Sequence, residues 1–186
     1  MIAKSCLIYH PDTVDDVIKA LYIGVKALYE KDELILHYDL VGTLGDLLIP
    51  EAQIATEAEG LWKHTCFEAF IAVVDDETHT RYHEFNFSPS GHWAAYGFNN
   101  YRQRNPWQAS NPPVSRFSQS SDQLSLDVII KTADLPVKEP HQPYRLGLSA
   151  VLETNEGELS YWALCHPGGS PDFHHRRGFT LSLNPN

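Results

Sequence analysis

A chain of 186 residues is long enough to bury one sizeable core, and no shift in composition marks a second unit, so residues 1–186 read as a single ligand-binding domain. Its 24 acidic against 14 basic residues give a formal net charge of -10, which excludes the Lys- and Arg-rich surface that a nucleic-acid partner requires. Cys6, Cys66 and Cys165, odd in number and far apart, exclude a disulfide framework and a CxxC metal pattern and read as reduced, mostly buried thiols.

Taken in chain order, the opening MIAKSCLIYHPDTVDD lacks the apolar core of a secretory signal. No later run approaches the ~20 apolar residues of a membrane span, so the expectation is a cytoplasmic protein with no membrane partner. Val14 to Tyr29 reads as a short helical turn near VDDVIKAL and then a strand, because Tyr22, Ile23, Val25 and Tyr29 favour extended backbone. Across the turn-like EKDE, Leu34 to Val41 supplies the second strand of a hairpin.

The stretch Leu61 to Gly91 carries the most information. It predicts two adjacent strands in which Phe67, Ala69, Ile71 and Val73 share one face and Cys66, Glu68 and Phe70 the other, while Phe85 and Phe87 oppose Tyr82, Glu84 and Asn86. One face is core. The other presents two carboxylates, an amide and aromatic rings, with Trp62 just before the first strand. Asp75, Asp76 and Glu77 between these strands lack a calcium-loop pattern and read as a solvated turn.

HWAAYGFNNY predicts a further strand, and NPWQASNPPVSRF a loop in which Pro106, Pro112 and Pro113 prevent regular pairing and which could rim a site. Leu124, Leu126, Val128 and Ile130 alternate with polar residues, making a half-buried strand closed by ADLP. YRLGLSAVLE and ELSYWALC flank TNEG as a second hairpin, HPGGSPDFHHRR is a long loop, and GFTLSL is the last strand. The total is about ten strands, an all-β chain that pattern alone leaves open between a two-sheet sandwich and a closed barrel.

His174 and His175 follow Asp172, but adjacent histidines in extended chain point in opposite directions and no third ligand stands at a diagnostic spacing, so no metal site is expected. Arg176 and Arg177 are the only basic cluster this reading finds and belong to a solvated loop.

Trp62 and Glu68 in the pattern W-x5-E, continued by FEAF, then YHEFNFSPSG and finally SPDFHHRRGFTL, together resemble the DOMON-like superfamily and its relatives, the family 9 carbohydrate-binding modules. The match runs in the same order over most of the chain. The resemblance implies an antiparallel β-sandwich of jelly-roll type, and superfamily members bind sugars or haem. Sugar-binding relatives hold a terminal sugar between two aromatic side chains with charged and amide groups from the adjoining sheet. Carried over by motif, Trp62 is the first aromatic, Glu68 the carboxylate and Phe173 the second aromatic, with Glu84 and Asn86 on the neighbouring strand. Glu84 departs from the pattern, because sugar binders favour an arginine near that position. His174 would orient the loop through a hydrogen bond. Met-ligated haem is excluded, since Met1 is the only methionine, and no cofactor is expected.

The chemistry fits a sugar independently of the family. A sugar ring has apolar faces that stack on aromatics and hydroxyls that both donate and accept, so a planar residue beside Glu and Asn serves both. The expected function is non-catalytic binding of a sugar or similar polar ring compound. The rival is a glycoside-active enzyme using Glu68 and Glu84 as paired carboxylates, about 5 Å apart for retention or about 6.5 to 9.5 Å for inversion. A third reading is a protein-interaction module whose cleft is unused, and the sequence sets no oligomeric state.

Overall fold

The computed structural model describes residues 2–13, 16–73, 81–139 and 141–184; the acidic turn at Asp75, Asp76 and Glu77 lies outside them. Twelve strands follow one another: β1 (Ile2–Tyr9), β2 (Tyr22–Glu30), β3 (Glu33–Val41), β4 (Cys66–Val73), β5 (Tyr82–Phe87) and β6 (Trp93–Asn100). After them come β7 (Gln103–Arg104), β8 (Val114–Gln119), β9 (Gln123–Lys131), β10 (Tyr144–Glu153), β11 (Leu159–Ala163) and β12 (Leu181–Leu183). Between β1 and β2 lies one helical turn, α1 (Asp16–Lys19), so the reading of Val14 to Tyr29 as a turn and then a strand holds for its described residues.

The named strands pair antiparallel in the order β7-β6-β5-β4-β10-β11-β1-β2-β3-β9-β8, with β12 beside the start of β10. The path does not close on itself, which rules out the barrel. β1 is the seam: Ile2 to Leu7 pair with β2, whereas Ile8 and Tyr9 pair with Ala163 and Trp162 of β11. The chain is therefore folded into two layers, a β-sandwich.

Alternation dictates which face each layer turns inward. Ile23, Val25 and Ala27 of β2, Leu34, Leu36, Tyr38 and Leu40 of β3, and Leu124, Leu126, Val128 and Ile130 of β9 are all buried. They meet Phe67, Ala69 and Ile71 of β4, Phe85 and Phe87 of β5, and Leu146, Leu148 and Ala150 of β10 in one continuous core. The Tyr38 hydroxyl reaches across this core to donate to the Glu68 carbonyl oxygen at 2.8 Å, satisfying both groups.

The two layers differ on their outer faces. β2, β3 and β9 alternate between buried and exposed residues, as a sheet wet on one side does. β4 and β5 are buried on both faces apart from an end residue and one histidine. A second apolar cluster of Phe70, Ala72, Tyr82, Ala94, Tyr96, Phe98 and Phe179 lies on their outer side, with Leu61, Trp62 and Phe173 packed against it. Cover for this face comes from a 3-10 turn at Leu61–Lys63 and from the long connection between β11 and β12.

Three strand assignments depart from expectation. β1 escaped the pattern because only Leu7 among its residues is buried; its place is set by backbone pairing on both edges. Within NPWQASNPPVSRF the three prolines precede Val114, and VSRF opens the edge strand β8, paired along β9. β7 is two residues long, too short to leave a periodic signature. The cysteines also differ from expectation, since Cys66 is buried but Cys6 is exposed and Cys165 half-buried.

Candidate functional site

The register of the covered sheet determines what meets on its outer face. Glu68 of β4 stands opposite Asn86 of β5 on one side and Ser149 of β10 on the other. One step along, Phe70 stands between Glu84 and Gly147, and Glu84 is paired in turn with Tyr96 of β6. Glu68 and Glu84 are thus diagonal neighbours on adjoining strands, with side chains on the same face.

Above them is a cavity of about 480 Å³, within the range of small-molecule sites. Its floor includes Glu68, Glu84, Phe70 and Phe98; Trp62 enters from the turn before β4, and Pro171, Phe173 and His174 from the loop after β11. Arg102 and Arg104, around β7, and Tyr161 of β11 complete the rim with Val151. Of the residues singled out from sequence, Trp62, Glu68, Glu84, Phe173 and His174 all line this one cavity.

Asn86 does not reach it. Its side chain is 0 % exposed and lies beneath, with Nδ2 donating to Glu84 Oε1 at 2.7 Å while Cys66 Sγ lies 3.8 Å from its Oδ1. Asn86 therefore positions Glu84 instead of facing the cavity.

The loop on the far side is pinned by polar contacts. Asp172 accepts from Arg102 Nη2 at 3.0 Å, from the Tyr101 hydroxyl at 2.9 Å and from the His174 backbone N–H at 3.2 Å. The Arg102 backbone N–H donates to the Tyr82 hydroxyl oxygen, leaving that hydroxyl's proton for His174 Nδ1, 2.8 Å away. The His174 proton then resides on Nε2, which lies 3.6 Å from Glu84 Oε2. On the opposite side Arg104 lies flat over Tyr96, 3.7 Å from its centroid, and meets Glu59 at 3.4 Å, while the Tyr96 hydroxyl donates to the same carboxylate.

Burial dominates the electrostatics. Glu84, 5 % exposed, is pushed up to about 7 because burial outweighs the Asn86 hydrogen bond and the two arginines. Glu68, 2 % exposed, is raised well above the carboxylate range by burial and then by the charge of Glu84, against a smaller opposing effect of Arg102. His174 is lowered to about 4 by burial and by Arg102, so it is neutral near pH 7 and gives Glu84 no cation. Burial and Glu68 also raise the Cys66 thiol, which is no nucleophile there. Glu68 Oε1 and the Ser149 hydroxyl, across the strands from each other, are buried and form no hydrogen bond within the chain.

Among the described residues no group of three or more His, Cys, Asp and Glu could hold a metal ion. His175 turns away from His174 and accepts from the Arg177 backbone N–H. Arg176 and Arg177 line a separate recess with Arg145.

Sequence reasoning overlooked Arg102 and Arg104. The signal was present in YRQR, where two arginines two residues apart directly follow a strand that borders the polar face. They bring to the cavity rim the guanidinium groups that the resemblance would have placed near Glu84.

The chain matches no sequence-family model and no curated protein. Its fold is similar to that of a Bacteroides uniformis ATCC 8492 protein described as carbohydrate-binding by inference, at TM-score 0.68 and 15% identity over 98% of this chain and 86% of the other. A family 9 carbohydrate-binding module from Caldicellulosiruptor kristjanssonii, solved with cellotriose, aligns at TM-score 0.58 and 8% identity over 90% and 75% of the two chains. A second structure of a family 9 module from that organism, with glucose, gives 0.54 and 7% over 88% and 76%. At these identities the likeness is one of architecture, and this chain has the β-sandwich fold of carbohydrate-binding modules.

Proposed function

We propose that this protein binds a sugar in the outer-face cavity and does not transform it. The carrying observation is that Trp62 and Phe173, delivered by two separate segments, flank a floor of two buried carboxylates rimmed by two arginines. The rings offer stacking surface, and the charged groups offer directional partners for hydroxyls. The neighbours solved with glucose and cellotriose support the ligand class, and the DOMON-like relationship read from the motifs belongs to the same proposal.

One observation favours the enzymatic rival: a carboxyl group titrating at about 7 in a cavity is what a general acid requires. Its placement argues the other way. Glycosidases set their two carboxyl groups on either side of the scissile bond, whereas Glu68 and Glu84 rise from the same sheet face. Trp62→Ala tests the binding reading. Glucose and cellobiose should raise the melting temperature of the wild-type protein saturably and leave the variant unmoved. An unchanged response in the variant would remove Trp62 from the site, and steady nitrophenol release from aryl glycosides would favour the enzyme.

A further inference from the structure

The charges around the cavity do not balance at its floor. Arg102 is committed to Asp172 and Arg104 to Glu59, both carboxylates contributed from outside the covered sheet. His174, the one other basic group against Glu84, has its Nδ1 taken by Tyr82. Glu84 is left with Asn86 on Oε1, and Glu68 Oε1 accepts nothing although it is buried. The Ser149 hydroxyl, opposite Glu68 on β10, is equally unpaired but lies outside the cavity lining, so Glu68 alone brings an orphan acceptor to the floor. A buried carboxyl oxygen without a partner is costly, and a cation bearing several hydrogens would both pair it and offset the burial that keeps the group protonated.

Resting on the sugar-binding reading above, we infer that the ligand is an amino sugar whose ammonium group sits between Glu68 and Glu84, beneath a ring held by Trp62 and Phe173. A primary ammonium has three donors, enough to serve both carboxyl groups that line the cavity. A hydroxyl at the same place gives one proton and leaves the remaining acceptors unpaired. A bare metal ion fits less well, because two carboxyl groups fall short of the oxygen set that calcium gathers.

The test is calorimetric titration at neutral pH with glucosamine, glucose, N-acetylglucosamine and cyclohexylamine, on the wild-type protein and on Glu68→Gln. Glucosamine should bind about tenfold or more tighter than the two neutral sugars, the effect of a charge-assisted contact. In Glu68→Gln, which keeps the side chain's shape and whose folding is checked by its melting transition, that preference should vanish. If this variant does not fold, Glu84→Gln carries the same expectation. Equal affinity for glucose and glucosamine would overturn the ammonium seat and leave sugar binding standing. Binding of cyclohexylamine with no response to any sugar would keep the seat and remove the sugar. No binding by any of the four would overturn both.

Discussion

Glu84 carries a pH signature that separates it from an exposed carboxylate. Its folded value of about 7 lies above the ordinary 4.5, so the folded chain holds the proton more tightly than the unfolded one. The stability this contributes is complete below about 4.5 and is lost as pH rises through about 7. His174 works in the opposite sense, its value lowered from 6.5 to about 4, so its contribution is present above 6.5 and lost as pH falls through 4. Because His174 is common to both proteins, the difference in melting temperature between Glu84→Gln and wild type reports Glu84 together with its effect on Glu68. That difference should widen in favour of the variant as pH is raised from about 4.5 past about 7, and a flat difference would mean Glu84 is ionised throughout. At this scale alternation placed Glu68 and Glu84 on the covered face, and the motif resemblance pointed to Trp62 and Phe173, which also line the cavity. Asn86 lies on the expected side but beneath Glu84, because alternation gives the side of a sheet but not the depth beneath the neighbouring side chains.

Among the elements, β10 is the one on which the covered face depends. Gly147 lies under Phe179, and a Cβ there would stand 2.6 Å from the Phe179 ring. That ring belongs to the same loop as Asp172, Phe173 and His174 and cannot swing away as a lysine tip could. Gly147→Ala should cost ~1–3 kcal/mol by overpacking and also weaken sugar binding, through displacement of the loop that carries Phe173. Denaturant melts paired with titrations check this, and a stable variant with unaltered affinity would show that the loop is positioned from elsewhere. β4 and β5 could be read from sequence because β4 is a near-continuous apolar run broken by Glu68 and β5 alternates over Glu84–Phe87, although their outer residues are covered. β1 could not, since a strand with one buried side chain has no hydrophobic period to read.

For the whole molecule, the decisive feature is that β1 pairs with both layers. Removing residues 2–9 would expose the backbone edges of β2 and β11 together and withdraw Tyr9 from its edge contact with Trp162. The truncated chain should lose its cooperative thermal transition and elute as aggregate in size-exclusion chromatography; a monomer melting as before would show the seam to be dispensable. Pattern alone could not settle sandwich against barrel, because the answer lies in pairings between distant segments, β3 with β9, β4 with β10 and β1 with β11. No helix among the described residues is long and apolar enough to cross a membrane.

The two aromatic side chains at the cavity come from distant segments of the chain, Trp62 before β4 and Phe173 after β11. A ribosome therefore releases the first and most of the floor well before the second exists. A nascent chain lacking the loop around Phe173 has the carboxylates but nothing to close over a ring. On the proposed sugar-binding reading, a sugar-bearing resin would retain chains that include the loop around Phe173 and let those terminated before it pass.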